Sequence, residues 1–171
     1  MTKIAIAIPT NNREKLLERL LQTLGSYELS QKPDIFVIDN EKSTDTQKIC
    51  DKHNHKPYKV FYVGVDTEGI ATARNKALDV IKDYDFLAFL DDDDIPQQNW
   101  LDELLKAANA NNADIVCGYA LPEYEGKRKE WMPSAEEVLS FIKDDKERYQ
   151  NFLNYTIPVS YTHLRAHETA S

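Results

Sequence analysis

The chain has little cysteine: Cys50 and Cys117 are its only two in 171 residues. They are far apart and belong to no CxxC or His-rich pattern, which argues against a disulfide framework and a structural zinc site. Both read as buried thiols in a reducing, cytoplasmic setting. Long apolar runs are missing as well. The stretch from Ile4 to Ile8 stops at Pro9, too short for a signal-peptide core and far too short for a membrane span. That leaves peripheral contact as the only membrane association to expect. Positive charge is not in excess; the formal net charge is -8. Nothing therefore drives the chain electrostatically toward nucleic acid, and an anionic substrate would need a local cationic device such as a metal ion. Glycine is scarce, with five residues, and neither a GxGxxG fingerprint nor a GxxxxGK phosphate loop is present. This argues against dinucleotide-dependent dehydrogenase and P-loop ATPase readings. No internal repeat or low-complexity segment is found.

What is present alternates between strand and helix. The length, with 42% hydrophobic residues, suits one soluble domain, read here as residues 1–158. Strands are predicted over Ile4 to Ile8, Ile35 to Ile38, Val60 to Val63, Phe86 to Leu90 and Ile115 to Tyr119, mostly as continuous apolar runs. Helices are predicted between them, over Arg13 to Tyr27, Ser43 to His53, Ile70 to Ile81 and Gln98 to Ala110. The first carries Leu16, Leu17, Leu20, Leu21 and Leu24 at helical spacing; the second has Ser43 or Thr44 as N-cap. This order implies an α/β fold, Rossmann-like, with a mainly parallel sheet covered on both faces. Ligands of such sheets bind beyond the carboxyl ends of the strands. Residues 122–133 read as a loop and 134–155 as a helix. The stretch 159–171 shows neither period and resembles a translated sequencing adapter. It is set aside as a non-native tail, with the natural sequence continuing beyond Pro158.

Four signals carry chemistry, and all fall at predicted strand ends. Asp91, Asp92, Asp93 and Asp94 follow the fourth strand directly. Adjacent carboxylates repel one another unless a cation is shared, and hard oxygens suit Mg2+ or Mn2+. A solvated acidic turn fits the same run. Asp39 ends the second strand, where a carboxylate can accept from a base N–H or a ribose hydroxyl; a simple turn residue is the plainer reading. Gly69 opens the segment that holds Arg74 and Asn75, at a helix start that favours anions. Pro9, Thr10, Asn11, Asn12 and Arg13 close the first strand with small polar groups that can line a nucleotide pocket or cap the next helix.

Taken together, these motifs resemble the family 2 glycosyltransferases of the GT-A fold over roughly residues 3–133. The matching stretches are Ile6 to Arg13, Val37 to Asp39 with Ser43 to Asp45, Gly69 to Asn75, Phe89 to Asp94 with Trp100 and Leu101, and Ala113 to Tyr119. The resemblance implies a nucleoside-diphosphate sugar donor, UDP-linked for preference. It also implies a saccharide or lipid-linked acceptor, a divalent metal, and an inverting transfer in polysaccharide or glycoconjugate synthesis. It implies that Asp39 holds the base and that Pro9, Thr10, Asn12 and Arg13 sit by the nucleotide. Gly69, Arg74 and Asn75 would lie near the diphosphate, with Asp91, Asp92 and Asp93 at the DxD motif. Asp91 and Asp93 are then the metal ligands. Two positions depart from the pattern. Asn40 stands where family members often carry a second Asp. No Glu-Asp motif of the kind that supplies the general base occurs between Pro122 and Pro158; Asp144 and Asp145 read as solvent-facing. The chain is therefore expected to hold donor without completing transfer.

Two other readings stay open. One is a binding module that holds a nucleotide or nucleotide sugar without turnover. The other is an acid-rich phosphohydrolase, which would need a nucleophilic Asp where Pro9 and Thr10 stand.

Overall fold

The computed structural model describes residues 2–55, 58–66, 69–118, 120–121, 127, 129–134, 137 and 163–166. Strand β1 is Ile4–Thr10, followed by helix α1 at Glu14–Gly25, strand β2 at Asp34–Asp39 and helix α2 at Thr44–His53. Strand β3 at Lys59–Gly64, helix α3 at Ile70–Val80, strand β4 at Phe86–Phe89 and helix α4 at Trp100–Asn111 continue the alternation. Strands β5 at Ile115–Cys117 and β6 at His163–Ala166 complete the described elements. The sheet order is β3-β2-β1-β4-β6-β5. The pairs β1–β2, β1–β4 and β2–β3 are parallel, whereas β6 runs antiparallel to both β4 and β5. The α/β architecture is the one the sequence pattern predicts.

β1 is the centre of the sheet, and its alternation divides the core. Ile4, Ile6 and Ile8 face one layer with Leu17, Leu20, Leu21 and Leu24 of α1, Cys50 of α2, and Trp100, Leu101 and Leu104 of α4. Ala5 and Ala7 face the other layer, where Ala73 and Ala77 of α3 meet them beside Ile81 and Leu87. A strand's side chains alternate between faces, so an Ile/Ala alternation gives one thick layer and one thin one. Leu17, Leu20, Leu21 and Leu24 are buried and Leu16 is partly so; they recur at three- and four-residue spacing, as a helix on a sheet requires. Ser43 caps α2 as expected, accepting from the N–H groups of Asp45 at 3.2 Å and Thr46 at 3.4 Å. Asn112, left-handed at φ 47, ends α4.

Three observations add to the expectations or correct them. First, residues 163–166, within the stretch set aside as a tail, form β6, pairing Ala88 with Leu164 and Val116 with Leu164 on its two sides, whatever the origin of the stretch. Four residues are too few to show a period, and backbone pairing alone fills the gap between β4 and β5. Second, Cys117 is exposed while Cys50 is buried. β5 is a short edge strand, with Ile115 also 58% exposed, so its cysteine lacks a covering layer. Third, β4 stops at Phe89, α4 begins at Trp100 rather than Gln98, and β5 ends at Cys117. Boundary shifts of one or two residues are ordinary for such elements. Tyr119, most of the 122–133 loop, the predicted 134–155 helix and the pair Asp144–Asp145 lie outside the described residues.

Candidate functional site

The parallel register aligns strand ends into one edge. Thr10 lies opposite Asp39, and Asp39 opposite Gly64. Beyond the ladder, the Asn40 N–H donates to the Thr10 carbonyl at 3.1 Å, and the Leu90 N–H to the Ala7 carbonyl at 3.1 Å. From β1 the chain proceeds outward to β2 and β3, then returns to place β4 on β1's other side. That reversal makes the crevice where α/β sheets hold ligands. A cleft of about 370 Å³ opens there. Pro9, Thr10, Asn11 and Arg13 line it after β1, and Asn40 after β2. Ile70 and Arg74 of α3 and Asp91, Asp92 and Asp93 after β4 complete its wall.

The acidic run is not a uniform patch. Asp92 turns inward, with its side chain 5% exposed. Its Oδ2 accepts from the Thr10 hydroxyl at 2.7 Å and its Oδ1 from Arg13 Nη1 at 3.2 Å. Burial pushes the Asp92 carboxyl above the usual range, and the bonds from Thr10 and Arg13 oppose that push. The same contact raises the Arg13 guanidinium further. Asp91 and Asp93 stay on the open side, 45% and 54% exposed. Arg74 Nη2 lies 3.5 Å from Asp91 Oδ1, and Arg13 Nη1 lies 3.3 Å from Asp93 Oδ2. The backbone closes into a turn as the Asp91 N–H donates to Asp94 Oδ2 at 2.9 Å and the Asp94 N–H to the Asp91 carbonyl at 3.1 Å.

Helix α1 holds this turn from outside. Arg19 Nη2 donates to the Asp93 carbonyl at 2.9 Å. The Tyr27 hydroxyl donates to the Pro96 carbonyl at 2.6 Å, while the Tyr58 hydroxyl donates to the Tyr27 carbonyl at 2.8 Å. Sequence reasoning missed these supports, because residues some 70 positions from the turn leave no local signal there.

Asp39 is fully buried, at 0% exposure. Its Oδ1 accepts from the Glu41 N–H at 3.0 Å, and its Oδ2 from the Ser43 N–H at 2.7 Å and the Tyr62 hydroxyl at 3.1 Å. Burial and the bond to Asp39 push the Tyr62 phenol up to about 12. Asp39 thus ties down the loop that carries Asn40. Asn40 is 9% exposed, and its Oδ1 is buried with no hydrogen-bond partner among the described residues.

Of the site residues predicted from sequence, the cleft gathers Pro9, Thr10, Arg13, Arg74, Asp91, Asp92 and Asp93. Asn12, Asp39, Gly69 and Asn75 are not on its wall. Asn12 is a left-handed turn residue at φ 55, and Gly69 sets the start of α3 at φ 136. Asn11, singled out only as part of the polar end of the first strand, lines the cleft too, as do Asn40 and Ile70, which were not chosen. Each is sequence-adjacent to a chosen residue, so the motif was legible and the facing residue within it was not. Among the described residues, no group of three or more Asp, Glu, His or Cys side chains forms a metal cage. The carboxylates on the open side are Asp91 and Asp93, each beside an arginine and each about half exposed. Two such oxygen ligands suit a hard cation whose remaining positions go to water and phosphate.

Comparison with known proteins agrees with this arrangement. The family model "Glycosyl transferase family 2" matches residues 5–168, a span that includes β6. The succinoglycan biosynthesis protein ExoM of Rhizobium meliloti is 31% identical over 136 residues, covering 78% of this chain and 43% of that protein. The glycosyltransferase GlyA of Streptococcus pneumoniae is 28% identical over 127 residues, covering 72% of this chain and 18% of that protein. The chain therefore spans less than half the length of either relative. Among solved structures, S. aureus TarS in complex with UDP-GlcNAc superimposes with a TM-score of 0.62 at 21% identity, covering 74% of this chain and 37% of that one. The mannosyltransferase PcManGT of Pyrobaculum calidifontis, in complex with GDP-Man and Mn2+, gives 0.61 at 18% identity, covering 69% and 35%. These likenesses support the fold, and the family match over nearly the whole chain establishes membership: this chain belongs to glycosyl transferase family 2.

Proposed function

We propose that the cleft binds a nucleoside-diphosphate sugar, UDP-linked for preference, together with Mg2+ or Mn2+, as the donor site of an inverting glycosyl transfer. The acceptor is a saccharide or a lipid-linked saccharide, in polysaccharide or glycoconjugate synthesis. The observation that carries this reading is the division of the acidic run. Asp92 is occupied by Thr10 and Arg13, while Asp91 and Asp93 remain half exposed on the cleft wall. Two open carboxylates repel a diphosphate unless a cation lies between them. Asp91 and Asp93 would hold that cation, which, when bound, neutralises the diphosphate as it leaves. Arg74 beside Asp91 and Arg13 beside Asp93 present cationic edges to the phosphates. TarS with UDP-GlcNAc and PcManGT with GDP-Man and Mn2+, both of this fold, support the ligand class.

Titration calorimetry of the 171-residue chain with UDP, in Mn2+ and in EDTA, tests the reading. Binding is expected only with the cation, and equal affinity in EDTA would overturn it. Asp91→Asn and Asp93→Asn should each weaken Mn2+-dependent binding far more than Asp45→Asn on exposed α2.

A further inference from the structure

We infer that Arg74 is an exchangeable partner of Asp91: it holds that carboxylate until a diphosphate draws its guanidinium away, so that cation and diphosphate enter the cleft as a couple. The inference rests on the donor-site reading and adds to it a role that Arg13, the other arginine of the cleft, does not share. The two arginines are held differently. Arg13 Nη1 donates to Asp92 Oδ1 at 3.2 Å and to Asp93 Oδ2 at 3.3 Å. Asp92 is buried, and its other oxygen accepts from the Thr10 hydroxyl at 2.7 Å. Moving Arg13 would strip a buried carboxylate of its countercharge, which is strongly unfavourable. Asp93 is fixed from a second side, since Arg19 Nη2 donates to its carbonyl at 2.9 Å. Arg13, Asp92 and Asp93 therefore form a strut.

Arg74 makes a single ion pair, to Asp91 Oδ1 at 3.5 Å, and both side chains are about half exposed. A lone exposed pair of this kind contributes little to stability, so Arg74 can leave without disturbing the core. Both residues stand on the cleft wall. To serve as a cation ligand, Asp91 has to give up Arg74, because a guanidinium and a metal ion on one carboxylate repel each other. A cation alone breaks the pair and then lies beside the released guanidinium. A diphosphate alone meets the open carboxylates. When both enter, the guanidinium exchanges a carboxylate for phosphate oxygens, which its planar fork matches in two parallel bonds. Each ligand thus removes the obstacle to the other, and the coupling is reciprocal by linkage.

The experiment measures Mn2+ affinity from the spin-resonance signal of the free ion, with and without saturating UDP. A protein-free titration corrects for Mn2+ held by UDP in solution. The coupling is the ratio of the two affinities. Arg74→Gln should bind Mn2+ alone about 3- to 10-fold more tightly, having lost both the competing pair and the like charge. Its affinity with UDP should not rise in step, so the coupling falls. Arg74→Lys keeps a charge that can pair with Asp91 and with phosphate, and should restore most of the coupling. Arg13→Gln is the contrast: a fixed cation acts on each binding separately, so both affinities should move by one factor and the coupling should stay. An unchanged coupling in Arg74→Gln would overturn the inference. Weaker binding of Mn2+ alone in that variant would overturn it too, by marking Arg74 as a support of the site. If UDP leaves the Mn2+ affinity of the natural chain unchanged, the donor-site reading itself fails, and the inference falls with it.

Discussion

At the scale of single residues, four identical side chains in a row do different work. Asp92 is an internal strut, Asp91 and Asp93 face the cleft, and Asp94 closes the turn by accepting the Asp91 N–H. Gly69 matters for a different reason. At φ 136 it adopts a backbone that other residues resist, and a Cβ there would lie 3.3 Å from the Thr72 hydroxyl. Gly69→Ala is expected to cost about 1–3 kcal/mol, read as a lowered urea midpoint. It should also weaken UDP binding, because α3 carries Arg74. Asp39→Ala should act on the fold as well as on the ligand. It leaves the part-buried Ser43 and Glu41 N–H groups and the Tyr62 hydroxyl without their acceptor, so stability and nucleotide affinity should fall together. A change in affinity without loss of stability would show that Asp39 touches ligand directly. The sequence made the acidic run, Arg74 and Thr10 legible, because strand-end position and residue type suffice to pick them. It did not distinguish Asp92 from its neighbours or Asn40 from Asp39. Which way a side chain turns at a strand end depends on partners 80 residues away, such as Thr10 and Arg13.

At the scale of elements, α1 and α2 are the informative pair. α1 was legible from apolar spacing, since burial against a sheet imposes that spacing, and α2 from its N-cap serine. The bonds from Arg19 and Tyr27 to the acidic turn were not, since they end on backbone carbonyls that any sequence supplies. Arg19→Met should keep the fold and loosen that turn, weakening Mn2+ affinity in the presence of UDP more than it lowers stability. α2 carries a pH-sensitive group at its last turn. Burial first, and then Lys52 and His55, lower the His53 imidazole below its ordinary 6.5, while Glu18 opposes them. The unfolded chain then takes up a proton that the folded chain resists. Stability is therefore full above pH 6.5 and is lost as pH falls through the lower folded value. His53→Gln should flatten that slope in denaturant titrations across mildly acidic pH. An unchanged slope would place the sensitive group elsewhere.

At the scale of the whole molecule, the sheet is continuous only because β6 lies between β4 and β5. Removing residues 159–171 leaves two facing strand edges without partners. Unpaired edges invite association with other chains. The deletion is therefore expected to lower the melting temperature and promote aggregation, whatever the origin of the stretch. An unchanged melting temperature would show that β6 adds nothing to the fold. The sequence did not reveal this strand, because its neighbours, rather than its own pattern, supply the reason for it.

The thin layer of the core has a further consequence. Ala5 and Ala7 of β1 share one buried cluster with Ala73 and Ala77 of α3, and small side chains on both elements let α3 pack close to β1. Arg74 stands on that helix and reaches Asp91 at 3.5 Å. The range of a charge–charge contact at the mouth is thus set by methyl groups in the interior, remote from any ligand. Bulk added at Ala77 acts as a spacer: Ala77→Val should lift α3, stretch the Arg74–Asp91 gap and alter cation affinity without touching a single polar atom. Overpacking of this kind costs about 1–3 kcal/mol, and a stabilising background would separate that cost from the electrical effect. Descendants of this fold can therefore retune the charge of their cleft by exchanging small apolar residues on the back of one helix, leaving every recognisable motif as it was.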